Sequence, residues 1–283
     1  MNLPSKVAIV EFDNDVKEAF NHALKLVGKI DDLNTKEKTV VIKVGVFDPK
    51  AETHSTVDVV NAIIKSFDRA PKIFLAESDN YRGKGLERLQ IWKALFNERV
   101  LPFNLSDDKN TRKVKIADEE IGLSHVLFKP NVFVSTHVLR TFERGSILKN
   151  LLGLIPDPKK ARFHKKLDTV LLDAYEATGG IDLAVLDGTY TYRGAGAMPH
   201  AGPDSARYRI KTNTLIVGRD AVAVETVGAT LVGMNPDKMP VIQEAIKRGL
   251  GEGRLEKIEI LGTPIEIVKE KFSSVMKTFK AKK

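Results

Sequence analysis

Cysteine is absent from the 283 residues. Disulfides, thiolate metal sites, cysteine nucleophiles and cysteine-ligated iron–sulfur clusters are therefore excluded from this chain. Aromatic residues are few, 7% of the total, and they do not alternate with the basic ones, so a stacking platform for single-stranded nucleic acid is poorly supported. No apolar run approaches the roughly 18–20 residues that cross a bilayer. The opening "MNLPSKVAIVEFDND" turns acidic by Glu11 instead of forming the apolar stretch of a signal peptide. Low-complexity tracts and fixed-period repeats are also missing. These absences lead to the expectation of a cytoplasmic, enzyme-like globule without a membrane partner.

The composition that remains is 42% hydrophobic and 29% charged, with a formal net charge of +8. Much of the excess sits in the C-terminal "KEKFSSVMKTFKAKK", which has the pattern of a basic helix. A positive balance suits an anionic partner, small or polymeric, but also an ordinary lysine-rich solvated surface.

Strand and helix patterns alternate along the chain. "KVAIVEF", "KTVVIKVGVF", "KIFLAES" and "VLPFNL" have strand character, and "DVKEAFNHALKLVG", "STVDVVNAIIKSF" and "GLERLQIWKALF" have helical character between them. Ser55 is a plausible N-cap for the second helix. Further on, "NVFVSTHVL", "IDLAVLDG", "TNTLIVG" and "KIEILG" have strand character, separated by "KKLDTVLLDAYEATGG", "DAVAVETVGATLVG" and "MPVIQEAIKRGLG". The pattern predicts an α/β fold, a mostly parallel sheet with helices on both faces. Polar turns around residues 106–128 predict an antiparallel hairpin insertion. A soft boundary near residue 130 divides the chain into halves, 1–130 and 131–283, though one domain is also compatible.

In parallel sheets ligands bind beyond the carboxyl ends of strands, where loops and helix N-termini converge. The strand ends therefore nominate site residues: His54 after the strand holding Lys43, then Glu77, His137, Asp187 and, beyond "TLIVGRD", Asp220 with Glu225 in the following helix. Each also has a plain structural role open to it. Asp220 suits an N-cap, Asp187–Gly188 a turn, and His54 a surface position. Lys43 is different, because an ammonium inside an apolar strand needs a partner. His22 and His125 have structural settings, and His200 falls in the glycine-rich "YRGAGAMPHAGPDS", which suits a loop covering a site. That segment is neither a dinucleotide fingerprint nor a phosphate loop.

"SILKNLLGLIPDPKKARFH", residues 146–164, concentrates polar chemistry in an apolar neighbourhood. Lys149–Asn150 should face a cleft while Leu151, Leu152 and Leu154 anchor the element. "IPDP" should then end it and turn the chain, bringing His164 back to the same cleft at a helix N-terminus. There the helix dipole would lower the pKa of His164.

Taken in order, "LKNLLGLIPDPKKARFH", "VLDG", the glycine-rich loop, "IVGRDAVAVETVGATLVGMNP" and "RGLG" resemble the domain-of-unknown-function 362 family, most strongly over 147–251. The resemblance implies the fold and the recurrence of a Lys-Asn-Leu-x-Gly block, a downstream His and an Asp-Gly pair. It names no activity. Family members usually read Lys-Pro-Asn at the second strand, where this chain has "IKVGV". A Lys-Thr-His element is replaced by "STHVLRT", which offers His137 and Arg140. "DPVAVD" is replaced by "DAVAVE", with Glu225 for Asp. Many relatives carry a ferredoxin-like cluster segment, which a chain without cysteine cannot build.

Two functions follow as expectations. In the first, an enzyme acts on a small phosphorylated or carboxylated substrate. His164 serves as acid or base, with Lys149 and Asp187 in the chemistry and Lys43, Asn150, Lys160, His54 and His137 in substrate binding. Glu77, Asp187 and Glu225 are the candidate ligands for a divalent cation such as Mg2+ or Mn2+. In the second, the chain binds nucleic acid or another polyanion without chemistry.

Overall fold

The computed structural model describes residues 4–193 and 209–281. Ten strands are present among them: β1 (Ser5–Glu11), β2 (Val40–Val44), β3 (Ile73–Glu77), β4 (Val100–Asn104), β5 (Thr111–Ile116), β6 (Glu119–Ser124), β7 (Val132–Thr141), β8 (Leu183–Arg193), β9 (Arg209–Gly218) and β10 (Ile258–Gly262). The helices are α1 (Val16–Leu26), α2 (Val57–Ser66), α3 (Gly85–Arg88), α4 (Ile147–Asn150), α5 (Leu167–Thr178), α6 (Ala221–Leu231), α7 (Pro240–Lys247) and α8 (Ile265–Ala281), joined by several 3-10 turns.

Eight strands form one sheet in the order β10-β1-β9-β8-β7-β2-β3-β4. Every neighbouring pair is parallel except those that β9 makes with β1 and β8. The α/β class expected from the alternation of patterns is the class found. The expected hairpin is β5 paired antiparallel with β6, a separate two-stranded sheet. Strands on either side of residue 130 interleave in the large sheet: β1 lies between β10 and β9, and β2 between β7 and β3.

The period of two along each strand sends alternate residues to opposite faces. Val7 and Ile9 join the layer of α4 to α8, whereas Ala8 and Val10 join the layer of α1, α2 and the 3-10 segment Leu89–Leu95. Burial on both faces explains why β2 is apolar throughout apart from Lys43. Pro102 sits in β4, an edge strand, where a missing backbone donor is tolerated.

Some local expectations are corrected. Thr56, not Ser55, caps α2, its hydroxyl accepting from Val59 N at 3.4 Å. Ser55 Oγ instead lies 2.9 Å from Thr136 Oγ1. "GLERLQIWKALF" is one short α-helical turn followed by 3-10 geometry, kinked at the buried Trp92. β8 continues past Asp187 with an irregularity between Gly188 and Tyr190, so Asp187 lies inside a strand and not at its end. Among the described residues no helix is long and apolar enough to cross a membrane.

Candidate functional site

The strand order reverses direction between β2 and β7. From β2 the chain builds outward through β3 to β4, while β7 and β8 extend the sheet the other way. Such a switch point opens a crevice at the carboxyl ends of the flanking strands. Asn150 closes its floor: its Nδ2 donates to Lys43 O at 3.1 Å, Ser135 Oγ at 3.1 Å and Thr136 O at 3.3 Å, bridging the two strand ends.

Above that floor lies a cleft of about 330 Å3. Lys43, Glu77, His137, Lys149, Asn150, Lys160 and His164, all expected at a site, line it together. Arg88, Arg140, Phe47, Tyr81, Phe142 and Leu152 complete much of its wall. A smaller depression between α1 and α2, about 220 Å3, is lined by exposed charges such as Lys17, Asp58 and Lys65 and gathers no buried polar group.

Lys43 is 1% exposed, on the sheet face that Val41 shares. Its Nζ lies 2.9 Å from Glu77 Oε1 and donates to Asn150 Oδ1 at 3.0 Å. Burial lowers its pKa, and the Glu77 carboxylate opposes that shift. Glu77 also accepts from Val46 N at 3.2 Å and Ser78 N at 2.9 Å, with Arg88 Nη1 at 3.5 Å. Arg88 is buried and donates to the carbonyls of Val46 and Ser78. The ion pair is therefore held by the backbone N–H groups of Val46 and Ser78 together with the side chains of Asn150 and Arg88. Two glycines make the packing possible. A Cβ at Gly153 would stand 2.7 Å from Lys43 Nζ, and one at Gly45 would collide with the His137 ring.

Lys149, on α4, is half-buried and lines the cleft. Its Nζ makes no hydrogen bond or ion pair with any described residue. Desolvation lowers its pKa to about 7, and the charges that act on it most strongly (Arg140, Lys43, Lys160 and Arg144) push the same way. Lys160 is lowered to about 8, chiefly by desolvation, and donates to the carbonyl of Asp79. His164 is exposed at the rim, in the 3-10 segment Lys160–Lys166 ahead of α5. Its pKa is lowered, as the sequence led one to expect, but desolvation and the cations Lys149 and Arg144 are the causes. The buried His137 is held well below the ordinary histidine range by desolvation and then by Arg140.

Other nominated residues stand apart. Asp187 accepts from Thr56 N at 2.6 Å and Thr56 Oγ1 at 2.9 Å, and from Thr189 N at 2.8 Å, so it braces the start of α2. His54 packs edge-on against Trp92 with ring centroids 5.5 Å apart, outside the cleft. Glu225 accepts from Ser146 N and Leu148 N at 2.9 Å, satisfying the first N–H groups of α4. Gly145, at φ +79, leaves room for it, since a Cβ there would lie 2.7 Å from Glu225 Cδ. Asp220 caps α6, accepting from Val222 N and Ala223 N at 3.0 Å. β9 runs antiparallel, so Asp220 emerges at the edge opposite the cleft.

The three carboxylates expected to hold a metal are thus engaged separately by N–H donors. No group of three or more His, Asp or Glu suited to a metal ion forms among the described residues. Most of the glycine-rich segment, His200 included, lies outside the described residues. Arg88 and the aromatic wall were not nominated from sequence. The signal for Arg88 is a cation amid the apolar positions of "GLERLQIW", the same argument that singles out Lys43.

A mostly parallel, doubly wound sheet with a cationic cleft at its switch point places the chain in the α/β class. More particularly, residues 40–230 match the model of the family described as domain of unknown function (DUF362), and the chain belongs to that family. No curated protein matches it.

Proposed function

We propose that the chain binds a small phosphorylated or carboxylated molecule in the switch-point cleft and acts on it as an enzyme. The observation that carries this is Lys149, whose Nζ has no partner among the described residues and whose strongest charged influences are the cations Arg140, Lys43, Lys160 and Arg144. An amine so placed gains an electrostatic partner when an anion arrives. Lys160 and Arg140 flank the anion, and Leu152, Phe142 and Phe47 receive an apolar portion. Lys43 and Glu77 neutralise one another and serve as scaffold. His164 stands at the rim as a proton carrier, neutral near pH 7 because its pKa is lowered. A divalent cation is not part of this proposal, because Glu77, Asp187 and Glu225 are each taken up by N–H donors.

Calorimetric titration of the full chain with lactate and glycerol 3-phosphate tests the proposal. Lys149→Ala should weaken binding by about tenfold to a hundredfold, the worth of a charge-assisted contact. Truncation from Lys277 onward should leave affinity unchanged. A polyanion-binding protein behaves the other way, losing affinity with the basic tail and showing a steep salt dependence. That outcome would overturn the small-molecule proposal.

A further inference from the structure

The three lysines of the cleft differ in how they are held. Lys43 is fixed by Glu77 and Asn150, and Lys160 by the carbonyl of Asp79. Lys149 Nζ alone of the three amines makes no hydrogen bond or ion pair with a described residue, and the buried Leu151 and Leu152 follow it in the chain. The charged groups that act on it most strongly come from β2 (Lys43), β7 (Arg140), the turn before α4 (Arg144) and the 3-10 segment Lys160–Lys166 (Lys160), and these four are positive. Glu77, on β3, also lines the cleft but is paired with Lys43, and His164 stands at the rim. A lysine whose only task was to hold an anion would work better as a full ammonium. Cationic neighbours and desolvation instead favour the free amine, the form with a lone pair.

We propose that Lys149 is an amine nucleophile and that the cleft takes a small anionic carbonyl compound, a 2-oxo acid or a phosphorylated aldehyde or ketone, as an imine. This rests on the anion-binding role proposed above. Lys160 and Arg140 hold the carboxylate or phosphate, and the carbonyl carbon is presented to Lys149 Nζ. The nitrogen lone pair forms the C–N bond while the carbonyl π pair moves to oxygen. One N–H proton then passes to that oxygen, carried by His164 or water, giving a carbinolamine. Loss of the second N–H proton and of the hydroxyl, as one water, leaves C=N. Nothing is oxidised or reduced, and no co-reactant is needed.

At pH 7 an amine with pKa about 7 is half unprotonated. An ordinary lysine is unprotonated in only about one molecule in two or three thousand. The test is reductive trapping of the full chain with sodium cyanoborohydride, using pyruvate in one arm and pyridoxal 5′-phosphate in the other, followed by peptide mapping. Lys149 should be labelled at least about tenfold faster than the exposed lysines and a few-fold faster than Lys160, whose pKa of about 8 leaves roughly one amine in ten free at pH 7, the advantage of unprotonated amine being partly offset by lower intrinsic nucleophilicity. The arm that labels identifies the oxo acid or the aldehyde phosphate as the better substrate class. Lys149→Arg should abolish the adduct while keeping lactate and glycerol 3-phosphate binding, and Lys149→Met should lose both. Circular dichroism verifies that each variant is folded.

Labelling spread evenly over the lysines, or absent from Lys149, overturns the inference. If lactate or glycerol 3-phosphate binds while neither carbonyl compound is trapped, only the imine fails and the anion site stands. If none of the four compounds binds, both proposals fall together.

Discussion

The ammonium of Lys43 lies 2.9 Å from the carboxylate of Glu77, with the two side chains 1% and 4% exposed. Removing two such charges from water is costly, and their attraction offsets that only because Asn150, Val46 N and Ser78 N satisfy the remaining sites. Glu77→Gln should strand a buried cation and destabilise the fold by about 3–5 kcal/mol. Urea unfolding measures it. The double variant Lys43→Met with Glu77→Leu should recover part of the loss, because the buried Arg88, 3.5 Å from Glu77, would still be without its carboxylate. A double variant no better than the single one would show that the pair does more than neutralise itself.

Gly153 is required by the same pair. Its missing Cβ leaves the space in which Lys43 Nζ and Cε sit, 2.7 and 2.8 Å from where that carbon would be. Gly153→Ala must displace Lys43 or the turn after α4, at a cost of about 1–3 kcal/mol as for other overpacked sites. Anion affinity should fall as well, since that turn also positions Lys149. Full retention of both stability and affinity would mean the turn yields freely.

Asp187 is buried against Thr56 and holds the start of α2. Asp187→Asn should cost about 0.5–2 kcal/mol, as the loss of a helix cap does. Binding of lactate or glycerol 3-phosphate should be unchanged when measured well below the melting temperature. A large loss of binding with stability intact would return Asp187 to the site that the sequence suggested.

Much of the fold is legible in the sequence because burial on both faces leaves continuous apolar strands, and helix patterns fall between them. The site is legible in part for the same reason. Lys43 and Lys149–Asn150 are polar groups in apolar surroundings, and such groups need partners wherever the chain folds. Asp220 shows where this logic fails. Its strand ends like the others, but β9 runs backwards, and strand direction leaves no mark on hydrophobic pattern. Asp187 fails differently, because β8 continues through the Asp-Gly pair that suggests a turn. Glu225 was nominated as a metal ligand from its place in a motif. Its job at the N-terminus of α4 depends on a contact across 79 residues that spacing does not reveal.

The lowered pKa of His137 has a consequence for stability. The ring is 7% exposed and its pKa lies well below 6.5. As pH drops below 6.5 the unfolded chain takes up a proton that the folded chain refuses. Stability is therefore full above pH 6.5 and declines by up to about 1.4 kcal/mol per pH unit below it, until the folded pKa is reached. His54, also lowered by burial, adds in the same direction. Denaturant titrations from pH 7 to about pH 5 should show a shallower decline in His137→Gln than in the parent chain. Parallel curves would mean that the ring gains a proton in the fold as easily as outside it.

The two tasks proposed for Lys149 respond to pH in opposite ways. Holding an anion requires the ammonium, so affinity for lactate, whose own charge is constant near neutrality, should fall as pH rises through about 7 and again through about 8, where Lys160 discharges. The limit is about tenfold per pH unit for each proton taken up on binding. Attack on a carbonyl requires the free amine, so the trapping rate with pyridoxal 5′-phosphate should climb over the interval in which lactate affinity drops. In Lys149→Arg the first step of the affinity profile should vanish while the second, at Lys160, persists. Calorimetry and trapping across pH 6 to about pH 9 would trace both curves. An affinity that rises with pH, or a Lys149→Arg profile identical to the parent's, would show that the proton lost near pH 7 does not come from Lys149.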